Sequence, residues 1–280
     1  IPMPLSIFSS QCNKIIWDNV YQKFFAGGVG NNNTMVYSND KYGITWTGFG
    51  LNYNTVNSIA SNNKSLRLIA VGKGTNTIAY SSEGIKWFGG PRDIFSDSGN
   101  GICCNVSLIV AVGKGTNTIA TSSNGGTQWT ILGNNIFSVS GNSVAWNGLL
   151  FVAVGEGTNS IAYSYNGTNW FGLGTSIFSV RGNSITWTGS RWVAVGEGTA
   201  NTIAYSSDGS SWTGINTMFT TAGYGIVKGS RWVAVGEGTY SIAFSSDAST
   251  WTGITTGSSP FSIRGRAIAY SSTLSRFVAV

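Results

Sequence analysis

Read for alternation of apolar and polar positions, the chain repeats one phrase, Val-Ala-Val-Gly. It ends at Gly72 (as Ile-Ala-Val-Gly), Gly113, Gly155, Gly196 and Gly236. A weaker form, Phe-Phe-Ala-Gly-Gly, ends at Gly28, and a last one runs Phe277-Val278-Ala279-Val280. A tryptophan follows each complete copy, at Trp46, Trp87, Trp129, Trp170, Trp212 and Trp251, spaced 41, 42, 41, 42 and 39 residues apart. A fixed period of that size, with no stretch patterned for a helix, predicts the blades of a β-propeller. The expected fold class is therefore all-β: four-stranded antiparallel blades, seven of them, the last incomplete.

The fifth copy shows how each period divides. Strand A is expected at Asn183–Trp187, B at Arg191–Gly196, C at Thr202–Ser206 and D at Ser211–Ile215. The segments are short, rich in β-branched and aromatic residues, and separated by Gly, Asn, Asp and Ser. Parity puts Val193, Val195, Ile203 and Tyr205 on one face, and Trp192, Ala194 and Ala204 on the other. One bulky and one largely small face, with almost no charge inside strands, suits a sheet covered on both sides by its neighbours.

The link from D to the next A carries its own phrase: Ile94-Phe-Ser, Ile136-Phe-Ser, Ile177-Phe-Ser and Phe261-Ser-Ile, matched by Ile7-Phe8-Ser9. One propeller domain is expected over 1–280, with blades at about 13–50, 57–91, 101–133, 142–174, 183–215 and 224–256 and a partial one at 266–280. On that reading the sequence starts in a D-to-A link and stops after a B strand, so a further segment is expected to complete the seventh copy.

The C-to-D turn is the most specific motif. It reads Ser206-Ser-Asp208-Gly209-Ser-Ser-Trp212 and Ser245-Ser-Asp247-Ala-Ser-Thr-Trp251. The related turns are Ser81-Ser-Glu83-Gly84-Ile-Lys-Trp87, Ser122-Ser-Asn124-Gly-Gly126-Thr-Gln-Trp129 and Ser164-Tyr-Asn166-Gly167-Thr-Asn-Trp170. This resembles the Asp-box (BNR) repeat, Ser-x-Asp-x-Gly-x-x-Trp, of propellers such as sialidases, sortilin-type receptors and photosystem assembly factors. The copy ending at Trp129 keeps that spacing; four copies are one residue shorter, and Ser38 to Trp46 is one longer. The resemblance implies a structural role, and the physics agrees. A short Asp or Asn caps backbone N–H groups in its own turn, Gly supplies a positive φ, and Trp is expected to bury a large apolar area at the blade edge. The repeat wording is also similar to uncharacterised repeat proteins of giant DNA viruses, which implies a virion component without identifying an activity.

Composition narrows the chemistry. Among 280 residues there is no histidine, which excludes a Ser-His-Asp triad and an imidazole metal site. Charged residues make up 9% and aromatics 13%, the profile of a chain with apolar surface to bury rather than a disordered one. The net charge of +6 is spread without any Lys/Arg-rich run, so no nucleic-acid partner is expected. No apolar run reaches the ~20 residues that span a bilayer, so no membrane insertion is expected. Cys12, Cys103 and Cys104 form no disulfide framework and read as small buried side chains. Asn-x-Ser/Thr triplets at Asn32, Asn63, Asn105 and Asn166 carry little weight in so Asn- and Ser-rich a chain. No cofactor and no metal are expected.

Glycoside cleavage needs two converging carboxylates. Only ten acidic residues exist; Glu83, Asp208 and Asp247 sit in Asp-box turns, and Asp93 and Asp97 are the best remaining pair. Two repeated charge positions remain. Lys73, Lys114, Glu156, Glu197 and Glu237 follow Val-Ala-Val-Gly, whereas Lys23, Arg67, Arg191, Arg231 and Arg276 open strand B. Both sets suit solvated turns. The sharper expectation is that Arg67, Arg191, Arg231 and Arg276 bind an anionic partner from the end of the blades opposite the first set. The function expected is a non-catalytic interaction or structural module with a protein or glycan partner, part of a larger assembly such as a virion. A lectin-like propeller is the alternative, and a glycoside hydrolase follows it.

Overall fold

The computed structural model describes residues 8–49, 54–62, 67–91, 94–216, 218–271 and 275–279. The chain divides into two compact units, Ile1–Gly133 and Asn134–Val280. Among the described residues there is no α-helix, only strands and one 3-10 turn at Thr256–Ser258.

The first unit holds three blades. Blade one is β1 (Gln11–Asp18), β2 (Lys23–Val29), β3 (Met35–Ser38) and β4 (Trp46–Gly48). Blade two is β5 (Thr55–Asn62), β6 (Arg67–Lys73), β7 (Ile78–Ser81) and β8 (Phe88–Gly89). Blade three is β9 (Ser98–Cys104), β10 (Ile109–Lys114), β11 (Ile119–Ser122) and β12 (Thr130–Ile131). The second unit continues with blade four, β13 (Ser140–Trp146), β14 (Phe151–Glu156), β15 (Ile161–Ser164) and β16 (Phe171–Gly172). Blade five is β17 (Arg181–Trp187), β18 (Trp192–Glu197), β19 (Asn201–Ser206) and β20 (Thr213–Asn216). Blade six is β21 (Ala222–Lys228), β22 (Trp232–Glu237), β23 (Tyr240–Ser245) and β24 (Thr252–Thr255). A seventh copy starts with β25 (Ile268–Ser271) paired to β26 (Arg276–Ala279). Within each blade consecutive strands pair antiparallel, in the order A-B-C-D.

Cross-strand register explains why both faces are apolar. In blade five Val193 lies opposite Tyr205 and Val195 opposite Ile203, while Trp192 and Ala194 pair with Ser206 and Ala204. The Val face packs with Phe219, Ile226, Trp232 and Ala234 of the sixth copy. The Trp192 and Ala194 face packs with Leu150, Val152, Val154 and Ile161 of blade four. In the first unit, Ile69 and Val71 meet Ile102, Ile109 and Ala111 in the same way.

The A strand of each of the six four-stranded blades carries a bulge near its start, and this moves its beginning. Strand β17 begins at Arg181, two residues before the expected Asn183, because Arg181 and Gly182 keep pairing past the bulge. The residue that the register skips is Asn13, Asn57, Asn100, Asn142, Asn183 or Tyr224. A bulged residue turns out of its own ladder and can reach elsewhere. Here it reaches the next blade: Asn13 Nδ2 donates to Val56 O (3.0 Å), Asn57 to Gly99 O (2.9 Å), Asn142 to Gly182 O (2.8 Å) and Asn183 to Gly223 O (2.9 Å). The glycine beside the bulge admits the neighbouring blade. A Cβ on Gly182 would sit 2.5 Å from Val154 Cβ, and one on Gly223 2.7 Å from Val195 Cβ. The second Val of Val-Ala-Val-Gly is therefore the knob on which the following blade rests.

The link phrase supplies the deepest plugs. Phe95, Phe137, Phe178 and Phe219 are buried to 1% or less. Their rings lie over Gly113, Gly155, Gly196 and Gly236, where a Cβ would come within 2.8 Å of ring carbon. Ile7, in the link ahead of blade one, lies outside the described residues. Phe8 is buried at 8%.

The repeat tryptophans differ from the expectation. Only Trp251 is buried, at 8%; Trp46, Trp87, Trp129, Trp170 and Trp212 are half-buried. Trp46, Trp87, Trp129 and Trp212 pack against the buried clusters from their margins, each with part of its surface open to solvent. The cysteines are also half-buried rather than fully buried. Burial still pushes the Cys12 thiol up to about 11 and Cys104 well above its usual value.

Candidate functional site

The cations that open strand B are placed by the pairing of B with C. Ile69 faces Tyr80, Val193 faces Tyr205, Val233 faces Phe244 and Phe25 faces Tyr37. The cation sits two residues earlier on the same face, the diagonal position that long side chains reach across a sheet. Arg67 thus lies over Tyr80 (5.3 Å to the ring centre), Arg191 over Tyr205 (5.0 Å), Arg231 over Phe244 (4.4 Å) and Lys23 over Tyr37 (4.5 Å). Each such stack contributes ~0.5–1 kcal/mol at an exposed site. In blade four the diagonal position is the buried Leu150, and in blade three Leu108 meets Thr121's column instead of an aromatic ring. Arg276 opens β26 and is exposed. Sequence reasoning found the cations but missed the rings beneath them; the tyrosine of the Ile-Ala-Tyr-Ser phrase was the available signal.

At the other end of strand B the charges pair. Lys73 Nζ lies 2.9 Å from Asp97 Oδ1, and Lys114 Nζ 3.9 Å from its Oδ2. Arg181 bridges Glu156 (3.7 Å) and Glu197 (2.7 Å), and Arg264 meets Glu237 (3.2 Å). Tyr224 Oη donates to Glu237 as well, at 3.0 Å. These residues are one-quarter to three-fifths exposed, so each pair contributes little alone. The hydrogen bond from Lys73 holds the Asp97 carboxyl below the usual carboxylate range, the opposite of what a general acid needs. Asp93, the other half of that pair, lies outside the described residues, as does Asn63.

The Asp-box residues are occupied by their own turns. Asp208 Oδ1 accepts from the N–H of Ser210 and Ser211 (both 2.8 Å), and Ser206 Oγ accepts from Gly209 N–H (2.8 Å). Asp247 repeats this with Ser249 and Thr250, Asn166 with Thr168 and Asn169, and Asn124 with Gln128. Backbone donation, led by Ser211, brings Asp208 down to about 2; that from Thr250 takes Asp247 well below the usual range. Glu83 is one methylene longer, and its carboxylate makes no such pair among the described residues. The tryptophan closes the turn: Trp129, Trp170, Trp212 and Trp251 donate Nε1–H to the carbonyl three residues back, at 2.9–3.0 Å. In the Glu83 turn, Trp87 Nε1 has no partner among the described residues. Asn105 similarly caps Ser107 and Leu108, so two of the Asn-x-Ser/Thr asparagines serve their own turns.

No family model and no curated protein matches the sequence. Solved structures do match in shape. YCF48 from Cyanidioschyzon merolae superimposes with a TM-score of 0.68 at 14% identity, over 96% of this chain and 91% of its own. A GH74 enzyme from Niastella koreensis gives 0.67 at 16% identity over 86% of this chain; the match spans 45% of that enzyme's chain. A structure in the nidogen/laminin complex gives 0.57 at 15% identity, covering 83% of this chain and 90% of that one. What the chain shares with them is the fold, a β-propeller of four-stranded antiparallel blades.

Proposed function

We propose that this β-propeller is a non-catalytic interaction module that docks an acidic protein surface through the cations at the start of strand B. The supporting observation is the repeated cation-over-aromatic pair where strand B starts, in blades one and two of the first unit and in blades five and six of the second. The acidic side chains that a hydrolase would use are engaged elsewhere, Asp208 and Asp247 in turns and Asp97, Glu156, Glu197 and Glu237 in ion pairs. The nidogen neighbour, solved in a complex with laminin, is a propeller with a protein partner. The test is capture of the purified chain on immobilised polyglutamate. Capture at 0.1 M salt should vanish near 1 M, as the Debye length falls from ~10 to ~3 Å. Joint reversal of Arg67, Arg191 and Arg231 to Glu should abolish it at 0.1 M without much change in melting temperature. Unchanged capture by that variant overturns the reading.

A lectin-like role is the second reading, and blade four favours it. Tyr165 and Phe171, each more than half exposed, flank Tyr163 at 5.9 and 5.3 Å, an aromatic shelf of the kind sugars stack on. Binding on a glycan array that is lost in Phe171→Ala would establish it. The virion role rests on the repeat wording alone, and detection of the chain in purified particles would test it.

A further inference from the structure

The basic row is uneven, and one member is set apart. Arg67 spends its guanidinium inside the protein: Nη1 donates to the carbonyls of Gly125 (3.2 Å) and Asn124 (3.5 Å) in the turn of blade three. Arg191 holds the equivalent place just before β18, stacked on Tyr205, yet its Nη1 is buried and has no acceptor among the described residues. A buried guanidinium N–H without an acceptor is costly to leave that way, because the desolvated charge lacks compensation; Nη1 itself is closed to solvent, so a ligand in the cleft pairs with the other guanidinium N–H groups of Arg191. Arg191 also borders a cleft of about 260 Å³. Its other walls are Tyr205, Trp212 and the hydroxyl-bearing Ser207, Ser211 and Thr213.

We propose that this cleft is the anchor pocket of the docking surface, and that it takes one aspartate or glutamate side chain of an acidic protein partner, its carboxylate paired with the guanidinium of Arg191. This rests on the reading of the basic row as a docking surface and names the place where its affinity is concentrated. Four arguments support it. Arg, Tyr and Trp are the residues enriched at interface hot spots, and here all three line one recess. The volume lies under the ~300 Å³ at which small-molecule pockets begin, so it suits one inserted side chain rather than a whole ligand. A carboxylate is the planar acceptor that a guanidinium fork matches, and the hydroxyls can complete its second oxygen. The stack on Tyr205 fixes the guanidinium beforehand, which reduces the ordering cost of binding.

The experiment is fluorescence anisotropy with a labelled octaglutamate peptide on the full chain, at low salt, beside an oligogalacturonate of similar charge. Arg191→Gln should weaken peptide binding by about thirtyfold, the loss typical of removing one member of a desolvated charge pair. Arg231→Gln, at an open position, should weaken it by less than about threefold. Arg191→Lys should also bind poorly, since it keeps the charge but loses the fork. Equal small losses for Arg191→Gln and Arg231→Gln overturn the anchor pocket and leave the diffuse basic row standing. Absence of peptide binding by the parent chain overturns both. Oligogalacturonate binding more tightly than the peptide, and lost in Arg191→Gln, makes the cleft an acidic-sugar site and overturns the protein assignment. Each variant is checked by thermal melting, so that lost binding is separated from lost folding.

Discussion

The C-to-D turns of blades three and six follow one plan and differ in two respects. Blade three has the longer turn, capped by the neutral Asn124, and its carbonyls receive Arg67 from blade two. Blade six has the shorter turn, capped by the charged Asp247, and Arg191 of blade five gives it no hydrogen bond among the described residues. Both caps work through a side-chain oxygen that accepts backbone N–H groups, Asp247 from Ser249 and Thr250 and Asn124 from Gln128. What changes is linkage to the surroundings: one turn is tied to its neighbour and insensitive to acid, whereas the other is untied and titrates. The extra residue has a backbone cost too. The long turn places glycine at both positive-φ positions, Gly125 and Gly126, while the short one puts Ala248 at φ 67°.

The largest effect is expected beneath the blade-six turn rather than in it. Phe219 is fully buried in the cluster that also holds Trp232, Ala248 and Trp251. Phe219→Ala should cost ~3–5 kcal/mol, as for other aromatic core truncations. Trp212→Ala, at a half-buried ring, should cost clearly less, and calorimetry showing the reverse order would place the core in the turns.

Acid should separate the two kinds of turn next. The folded carboxyls of Asp208 and Asp247 titrate below the unfolded value, so the stability they contribute is complete above pH ~4 and is lost as pH falls toward ~2. Asp208→Asn with Asp247→Asn keeps the caps, as Asn124 and Asn166 already do, and should flatten the melting temperature over that window. A double variant that loses as much in acid as the parent puts the acid sensitivity elsewhere.

The smallest effect concerns the tie. Arg67→Gln should lower stability by about 0.5–1 kcal/mol through loss of the stack and the two carbonyl contacts. Arg191→Gln should lower it less, because only the stack is lost. Equal losses in chemical denaturation would erase the contrast between the two turns.

Much of this architecture was legible in the residues, and the exceptions have physical causes. The period, the parity of Val193, Val195, Ile203 and Tyr205, and the start of a seventh copy all follow from apolar alternation, which the register reproduces. The bulge was not read, because one inserted residue breaks the alternation that reveals strands; the recurring pairs Gly99-Asn100, Gly141-Asn142 and Gly182-Asn183 were its signature. The exposure of the tryptophans was misjudged because a motif locates a turn without saying which side of it is covered. The cation-aromatic pairs and the bridge from Arg181 to Glu156 and Glu197 depend on which residues face one another across strands, and a single sequence does not supply that pairing.

The bulge asparagines have a consequence for how the chain avoids misassembly. Asn57, Asn142 and Asn183 each tie their blade to a glycine carbonyl about one repeat downstream, and Asn142 and Asn183 make interchangeable bonds. Copies so alike could trade places during folding, one blade skipping a repeat and docking on the wrong neighbour with little loss of energy. Blade six breaks that degeneracy. It carries Tyr224 where the others carry Asn, and this hydroxyl reaches Glu237, the carboxylate that also holds Arg264 of the next copy. At this junction the tie to the next copy therefore runs through a shared carboxylate, Glu237, instead of an asparagine amide.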